Sequence, residues 1–352
     1  MEERSYKKKE QSYKLRAICY RLIFILLSIT IGSSYSIKSA WGDGNNVIGT
    51  DFWELTGKLS SSSNNALSIS VASNGDIWAI TYDGKTSLSA VYLSTNNGYT
   101  WVEKNNGLQE NQIHSITINP VNGYLFMNSS MGLFRSTDRG KSWVKVTSDM
   151  VIRDILVTAS GEIYLVMYAK IYYSSDNGNT WIEKNNDGLP SGCYILSLVL
   201  GKDGTLYAGT YSKGVCRSTD GGDTWLLSTN YTKEFVDDLT ISDDGSIFAT
   251  TWNNDVLKST DNRGVTWTKV HTSLVDGFAN RIIYNPITKD IFLTQGLYDS
   301  KVYRSTNLGA SWELINNGIP EATSIRGFAF NHNTGQMYVA TSDGLYRSKN
   351  YP

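Results

Sequence analysis

A short pattern recurs along this chain: a serine, a turn sequence and then a tryptophan. The six copies are Ser94–Trp101 (STNNGYTW), Ser136–Trp143 (STDRGKSW), Ser174–Trp181 (SSDNGNTW), Ser218–Trp225 (STDGGDTW), Ser259–Trp267 (STDNRGVTW) and Ser305–Trp312 (STNLGASW). Their tryptophans lie 42, 38, 44, 42 and 45 residues apart. A turn and a tryptophan at a period of about 40 residues indicate one small β-sheet per repeat, with the sheets arranged in a ring.

Three short strands are predicted between successive turns. In the second repeat, Ser115–Ile118 alternates polar and apolar residues, Tyr124–Met127 follows a turn, and Gly132–Ser136 leads into the next copy of the pattern. The same order gives seven inner strands, near residues 68–71, 115–118, 154–157, 197–200, 238–241, 281–284 and 327–330. Seven such sets predict seven sheets.

The two ends of the chain indicate how the ring closes. The last third strand, Leu345–Ser348, has no turn and tryptophan after it. Near the other end, Asp51–Leu55 reads like a fourth strand without a sheet of its own. We predict that residues 51–57 complete the last sheet, because this pairing removes an open sheet edge.

The repeated pattern S-x-D-x-G-x-T/S-W resembles the Asp-box (BNR) motif of β-propellers, at blade spacing over residues 51–352. The resemblance implies an all-β fold over residues 41–352, a seven-bladed β-propeller of four-stranded blades, with the motif between third and fourth strands. The chain is most similar to single-domain, exported, seven-bladed propellers that include photosystem II assembly and stability factors. Those proteins act by binding protein partners.

We interpret the motif residues as structural. An Asp or Asn side chain can accept hydrogen bonds from its own turn, and Gly tolerates positive φ where the chain reverses. Two copies carry Asn in place of Asp, which suits a turn cap and not a general acid or a metal ligand. The structural set comprises Asn96, Asp138, Asp176, Asp220, Asp261 and Asn307, with Trp101, Trp143, Trp181, Trp225, Trp267 and Trp312.

The N-terminal head predicts export. Residues 1–40 hold eight Lys/Arg and three Glu, and the apolar run Leu22–Gly32 is short for a membrane span and typical of a signal peptide. An uncleaved N-terminal anchor is the alternative. Later residues contain no apolar run long enough to span a membrane, so we expect a periplasmic, extracellular or cell-surface monomer.

The remaining chain is mildly acidic. It has 24 basic and 30 acidic residues, since 32 minus 8 and 33 minus 3 remain after residue 40, which gives a net charge of −6. Nucleic-acid binding needs a basic surface, so this class of partner is disfavoured. Because the Cys and His residues lack metal-ligand spacing, we expect no metal and no cofactor. Cys193 and Cys216 fall in one repeat, as a disulfide or as two buried thiols.

Partner binding is expected at the face opposite the motif turns, where the repeats differ from one another. Aromatic residues follow the second strands there, and they either form a binding surface or pack against the neighbouring blade. At the start of the inner strands, polar and charged residues face the channel mouth. The predicted binding residues are Tyr82, Tyr168, Tyr211, Trp252, Tyr298, His114, Arg153, Arg281 and Arg326.

Two functions remain open on the sequence alone. The first is a non-enzymatic interaction propeller with a protein partner. The second is a carbohydrate-active protein, either a sugar-binding module or a glycoside hydrolase, whose acid and base would come from Asp237, Asp238, Asp154 and Glu234. The alternative for these acids is a structural role, paired with arginine in a wet channel. Sialidase activity is disfavoured, because residues 41–134 contain no arginine and the chain lacks an Arg-Ile-Pro sequence.

Overall fold

The structure, a computed structural model, describes residues 51–59, 64–106, 108, 112–148, 151–253, 255–261, 263–271, 279–296 and 300–349. These residues form 28 strands in seven antiparallel four-stranded sheets, and they contain no helix. The predicted seven-bladed all-β propeller is therefore confirmed. The predicted export segment, residues 1–40, lies outside the described residues. Within the ranges above, no helix has the length and apolar character of a membrane span.

Each blade takes its strands in chain order, apart from the last blade. A strand that precedes the first blade is β1 (Trp53–Leu55). Blade 1 comprises β2 (Ala66–Val71), β3 (Ile77–Asp83), β4 (Leu88–Ser94) and β5 (Val102–Glu103). Blade 2 comprises β6 (Ile113–Ile118), β7 (Leu125–Ser129), β8 (Gly132–Ser136) and β9 (Val144–Lys145). Blade 3 comprises β10 (Asp154–Val157), β11 (Ile163–Met167), β12 (Lys170–Ser174) and β13 (Ile182–Glu183).

The remaining blades repeat this order. Blade 4 comprises β14 (Tyr194–Leu200), β15 (Leu206–Tyr211), β16 (Gly214–Ser218) and β17 (Leu226–Leu227). Blade 5 comprises β18 (Val236–Ile241), β19 (Ile247–Thr251), β20 (Val256–Ser259) and β21 (Trp267–His271). Blade 6 comprises β22 (Ala279–Asn285), β23 (Asp290–Gln295), β24 (Lys301–Ser305) and β25 (Glu313–Leu314). Blade 7 comprises β26 (Ile325–Phe330), β27 (Met337–Thr341), β28 (Gly344–Ser348) and the N-terminal β1.

The ring is closed by contacts between the first strands of successive blades, and β26 of blade 7 contacts β2 of blade 1. The hydrophobic core lies between the blades. Phe126 of β7, for example, packs with Ile163 and Leu165 of the next blade. Each second strand carries such an aromatic residue, and all seven are buried: Trp78, Phe126, Tyr164, Tyr207, Phe248, Phe292 and Tyr338. Burial of one aromatic side chain contributes about 2–3 kcal/mol, so this row accounts for much of the cohesion between blades.

The motif turns are closed by side-chain hydrogen bonds. In blade 2, Asp138 Oδ1 accepts from the Ser136 hydroxyl over 2.8 Å and from the Ser142 backbone N–H over 2.9 Å. Bonds from Ser142, first from its hydroxyl and then from its backbone, lower the Asp138 pKa to about 2. Asn307 accepts the equivalent backbone bond from Ser311 over 2.8 Å. Asn and Asp therefore cap the same turn, as a structural role requires.

The motif also joins neighbouring blades. The Trp143 indole N–H donates to the Lys104 carbonyl of blade 1 over 3.5 Å, and the Trp181 indole N–H donates to the Val146 carbonyl of blade 2 over 2.9 Å. The motif glycine of blade 2, Gly140, has φ +73°, and a Cβ there would lie 3.0 Å from the Trp78 ring. Glycine is needed at this position because the backbone adopts a left-handed conformation and because the Trp78 ring of blade 1 approaches closely.

Residues from both ends of the described chain close the last blade. Strand β1 pairs antiparallel with β28, with Trp53 opposite Ser348 and Glu54 opposite Arg347. Arg347 Nε donates to Glu54 Oε1 over 2.6 Å. The buried Trp53 indole donates to the Ile315 carbonyl of blade 6 over 2.8 Å. The predicted closure by residues 51–57 is confirmed.

The two cysteines of blade 4 are free and buried. Cys193 precedes β14 and Cys216 lies in β16, and β15 separates these two strands in the sheet. Of the two alternatives left open by the sequence, the structure holds a pair of thiols.

Candidate functional site

A β-bulge recurs near the start of the inner strand in six of the seven blades. In blade 5, the pairing with β19 skips from Val236 to Asp238, so that Asp237 is the extra residue. Blade 3 has Arg153 at the corresponding position, just before β10. We call these seven positions the mouth ring: Leu67, His114, Arg153, Leu196, Asp237, Asn280 and Arg326. None of them is buried, and their chemistry differs from blade to blade.

Bulges re-aim side chains and are frequent beside functional sites. Here they separate two kinds of position that cannot be distinguished from the sequence alone. The bulged residue belongs to the mouth ring. In blade 1, the next residue points its side chain to the neighbouring blade: the Ser68 hydroxyl accepts from the Ile116 N–H over 3.3 Å.

Asp154 and Asp238 are such ties between blades. Asp154 Oδ2 accepts from the Leu198 N–H of blade 4 over 2.8 Å, and its Oδ1 accepts from the Ile155 N–H over 2.9 Å. Asp238 Oδ2 accepts from the Ile282 N–H of blade 6 over 3.1 Å. The oxygen atoms of both carboxylates are thus engaged by backbone groups of the inner strands.

Among Asp154, Asp237 and Asp238, the three acids at the channel mouth, Asp238 has the most polar neighbours. Its Oδ1 accepts from the Leu239 N–H over 3.0 Å and from the Ser197 hydroxyl over 3.1 Å, and Arg281 lies 4.0 Å from Oδ2. Burial raises its pKa to about 6, against the opposing effect of Arg281. Only 15% of the Asp238 side chain is exposed to solvent, so the effect of desolvation on its pKa outweighs the effect of the Arg281 guanidinium.

Asp237 differs from both tied acids, since the neighbouring group that interacts with its carboxylate is a side chain, the Trp252 indole. Burial raises the pKa of Asp237, and the charges of Arg281 and Arg153 oppose that rise. Arg281 interacts electrostatically with all three acids, Asp238, Asp237 and Asp154. Three acids and two arginines of the predicted set therefore come together at the channel mouth, and Asp237 is the acid best placed for a ligand.

Glu234, the fourth acid of the predicted set, accepts a hydrogen bond from the side chain of Asn253. This bond lies in the loops of blade 5 outside the mouth ring. Its carboxylate is absent from the groups that shift the pKa values of Asp237, Asp238 and Arg281. The structure therefore separates Glu234 from the other three acids.

The other side of the mouth ring carries His114 of blade 2 and Arg326 of blade 7. Burial lowers the pKa of both side chains. His114 is exposed to solvent, but the surrounding protein still partly desolvates its imidazole ring. Within the described residues, neither side chain forms an ion pair. The channel mouth therefore has acids paired with arginines on one side and the basic residues His114 and Arg326 on the other.

Five aromatic side chains form a continuous run from blade 3 to blade 5. We call this the aromatic run, and its successive ring centroids lie 5.8, 6.4, 4.2 and 5.2 Å apart: Tyr168, Tyr194, Tyr211, Phe235 and Trp252. Phe235 and Trp252 are stacked, at an interplanar angle of 19°. Because the Trp252 indole interacts with Asp237, the run ends at the mouth ring.

The free end of the run is exposed. Tyr168 and Tyr194 expose 49% and 44% of their surface. Tyr168 adopts φ +56°, a left-handed conformation that is uncommon for a bulky residue and is found at functional sites more often than elsewhere. Sequence reasoning selected Tyr168, Tyr211 and Trp252, and the structure brings them together.

The other aromatic predictions have different outcomes. Tyr82 of blade 1 is partly buried and is not a member of the run. Tyr298 lies outside the described residues. Two members of the run, Tyr194 and Phe235, were missed. Each lies two residues before a bulged position, a signal that could have been used if the bulges had been foreseen.

The described residues offer no group of three or more His, Cys, Asp or Glu side chains that could hold a metal ion. The mouth acids are held apart from one another by arginine and by backbone ties. What the arrangement can do is present an aromatic surface beside a polar mouth of mixed charge.

Comparisons with known proteins agree with this fold. Residues 51–200 match the family model described as the DUF6242 beta propeller domain, which covers β1, blades 1 to 3 and the first strand of blade 4. Among solved structures, YCF48 bound to D1 peptide is similar at 15% identity and a TM-score of 0.66, over 86% of this chain and 96% of that one. The chain has the fold of these propellers.

Two further solved structures are larger than this chain. The extracellular domain of the one component system BT4673 from B. thetaiotaomicron is similar at 15% identity and a TM-score of 0.67, over 86% of this chain and 40% of that one. An ancestral GH74 enzyme is similar at 18% identity and a TM-score of 0.65, over 85% and 46%. Comparison with curated protein sequences gives no match.

Proposed function

We propose that this protein is an exported, non-enzymatic binding propeller that holds a protein partner on its mouth face, the face formed by the mouth ring and the aromatic run. The observation that carries the proposal is the exposed aromatic run that ends at Asp237. Exposed tyrosines beside partly buried polar and charged groups have the composition of interface hot spots. Tyr168 and Tyr194 would supply the apolar contact area, and the mouth ring would fix the orientation.

The charge pattern favours a protein over a nucleic acid. Both signs of charge occur at the channel mouth, with Arg153 beside Asp154 and Arg281 4.0 Å from Asp238. A nucleic acid requires a field of one positive sign. A folded protein partner can instead present charges of both signs that complement those of the mouth face. Such complementarity determines how the partner is oriented more than how tightly it binds.

The ties of the channel acids support a role without catalysis. A glycosidase needs two carboxylates free to exchange a proton or attack the sugar. Asp154 and Asp238 instead accept backbone N–H bonds that hold blades together. The second candidate function is carbohydrate binding or glycoside hydrolysis, and the similarity to the fold of a GH74 enzyme supports it. Asp237 is the acid that would serve this function.

Two comparisons support the partner class and the location. One similar propeller is seen with a peptide bound, and another is an extracellular domain. The basic, then apolar, residues 1–32 supply an export signal of their own. N-terminal sequencing of the protein from its host would test export: cleavage near Ser36 or Ala40 supports it, and a cytoplasmic chain that begins at Met1 contradicts it.

The binding face is tested by photo-crosslinking. A photoreactive phenylalanine analogue replaces Tyr168 or Tyr194 in the full chain. In the control, the probe replaces Ile182, which is 61% exposed on the outer strand of blade 3. After irradiation in the host, we expect a shared crosslinked protein from both tyrosine positions and not from Ile182. The same band from all three positions, or none from the tyrosines, would contradict the proposal.

The sugar alternative has its own measurement. Binding to a glycan array and release of reducing sugar from polysaccharides are recorded for the full chain and for Asp237→Ala. The proposed function predicts a blank array and no release. Sugar release that disappears in Asp237→Ala would establish the enzyme instead.

A further inference from the structure

A groove of about 590 Å³ lies between the outer strand of blade 1 and the motif turn of blade 2. Leu93 and Val102, which face each other across β4 and β5, give it an apolar surface. Its basic side chains are Lys104, which follows β5, and Arg139 and Lys141 of the motif turn. Because an outer strand and a motif turn form the groove, it is separate from the mouth face.

Two of the three basic side chains in this groove are available to a ligand. Arg139 forms an ion pair with Asp76 of blade 1. Within the described residues, the side chains of Lys104 and Lys141 form neither an ion pair nor a hydrogen bond. The acid in the lining, Asp138, accepts hydrogen bonds from its own turn. The groove therefore presents two ammonium groups, in a chain whose residues after 40 are acidic overall.

The equivalent place between blades 3 and 4 shows which group such a lysine binds. Lys184 follows β13 as Lys104 follows β5, in the same sequence Glu-Lys-Asn-Asn. The Lys184 ammonium donates to Asp223 over 2.8 Å, and Asp223 also accepts from the Asn185 N–H over 3.4 Å. Asp223 is the sixth residue of its motif copy, and the sixth residue in blade 2 is Lys141. A carboxylate for Lys104 would therefore have to come from a ligand.

The matching groove between blades 2 and 3 has a different lining. Its volume is about 530 Å³, and Val146, Asn177 and Asn179 occupy the sequence positions of the three basic residues. Arg135 lines this second groove, but it donates to the Asn177 carbonyl over 2.6 Å and to Asn179 Oδ1 over 2.9 Å. Lys145, its other basic residue, also has a partner. The grooves thus recur with the blades, whereas the two unpaired lysines belong to the groove between blades 1 and 2.

We propose that the groove between blades 1 and 2 binds an acidic peptide segment of a partner protein. Asp or Glu carboxylates of the peptide pair with the ammonium groups of Lys104 and Lys141. An aliphatic side chain of the peptide packs on Leu93 and Val102. A peptide suits this groove better than an acidic sugar, because the described residues that line it include no aromatic ring on which a sugar could stack.

The proposal is tested on the full chain by fluorescence anisotropy. The probe is a short peptide of alternating Glu and Val that carries a neutral dye, and the same peptide with Gln in place of Glu is its control. We expect saturable binding of the Glu peptide alone. Lys141→Asp should weaken this binding by at least about tenfold, because the new carboxylate repels the peptide and can pair with Lys104 as Asp223 pairs with Lys184.

The matched control is Lys289→Asp, an equal change of charge at an exposed turn residue of blade 6, which should leave the affinity unchanged. Lys104→Gln is a second variant and should also weaken binding, should Lys141→Asp lower the thermal unfolding midpoint. Equal affinities of the Lys141 and Lys289 variants, equal binding of the Gln peptide, or no saturable binding would overturn the proposal. An oligomer of glucuronic acid is titrated in parallel. Tighter binding of this oligomer, lost in Lys141→Asp, would overturn the peptide assignment in favour of an acidic sugar.

Discussion

Arg347 Nε donates a hydrogen bond of 2.6 Å to Glu54 Oε1, across a pair of strands separated by nearly the whole described chain. The Arg347 guanidinium also donates to the Asn97 carbonyl of the first motif turn over 2.8 Å. One side chain thus joins β28, β1 and blade 1. The ring depends on this closure, since each blade finds its core only against its neighbours.

The closure predicts a large effect of Trp53. Trp53→Ala removes a fully buried indole and its bond to Ile315. We expect a loss of about 3–5 kcal/mol in the free energy of unfolding, measured by chemical denaturation. Leu55→Ala, on the same strand but 54% exposed, is the control and should change it by less than about 0.5 kcal/mol. Similar midpoints for the two variants would contradict closure by β1.

The close approach of Gly140 to Trp78 predicts a difference between two glycines of equal backbone conformation. Gly140 and Gly123 both have φ +73°, but a Cβ at Gly123 meets no atom within 4 Å. Gly123→Ala should cost about 1–2 kcal/mol for the left-handed conformation alone. Gly140→Ala should cost at least about 1 kcal/mol more, because the Trp78 ring must shift. Equal unfolding free energies would show that this contact does not restrict the blade.

The role of Asp138 as a turn cap predicts that Asn can replace it. Asp138→Asn should keep the thermal unfolding midpoint near that of the unsubstituted protein, since Asn96 and Asn307 close the same turn with the same bonds. Asp138→Ala removes the acceptor and should lower the midpoint. If Asn and Ala lowered it equally, the negative charge would be essential and the capping account would be wrong.

The raised pKa of Asp238 predicts a pH dependence of stability. Its value of about 6, against 3.8 for an ordinary Asp, means that the folded state takes up the proton first. The stabilisation from this proton is complete below pH 3.8 and disappears as the pH rises through about 6. The shift corresponds to a contribution on the order of 3 kcal/mol. Asp154 and Asp237 are shifted in the same direction.

This dependence is measured by chemical denaturation between pH 5 and pH 7.5. The unsubstituted protein should lose stability over this range, and Asp238→Asn should show a smaller loss. Asp138→Asn is the control, because Asp138 titrates near pH 2, outside the range. Parallel pH profiles for the protein with and without Asp238→Asn would contradict the assigned pKa.

The sequence predicted most of the fold because the motif is local. Serine, Asp or Asn, Gly and Trp lie within nine residues, and their bonds form inside one turn. The orphan strand with Trp53 was recognised for the same reason. The predicted inner strands all lie within observed strands, and the bounds predicted for β10, residues 154–157, agree with the structure.

The site was predictable only in part, because its organisation depends on contacts between blades. The sequence cannot show that Asp237 is bulged while Asp238 ties blade 5 to blade 6, since the two aspartates are adjacent and identical. Tyr194 and Phe235 were missed because a bulge changes which residue of a strand faces the neighbouring aromatic ring.

The central claim is that the mouth face binds a protein through the aromatic run, and the most direct measurement compares two truncations of similar exposure. The protein identified by crosslinking is titrated against the full chain carrying Tyr194→Ala or Ile182→Ala. We expect at least a tenfold weaker affinity for Tyr194→Ala, which corresponds to about 1.4 kcal/mol, and an unchanged affinity for Ile182→Ala. Equal affinities of the two variants would show that the partner binds elsewhere.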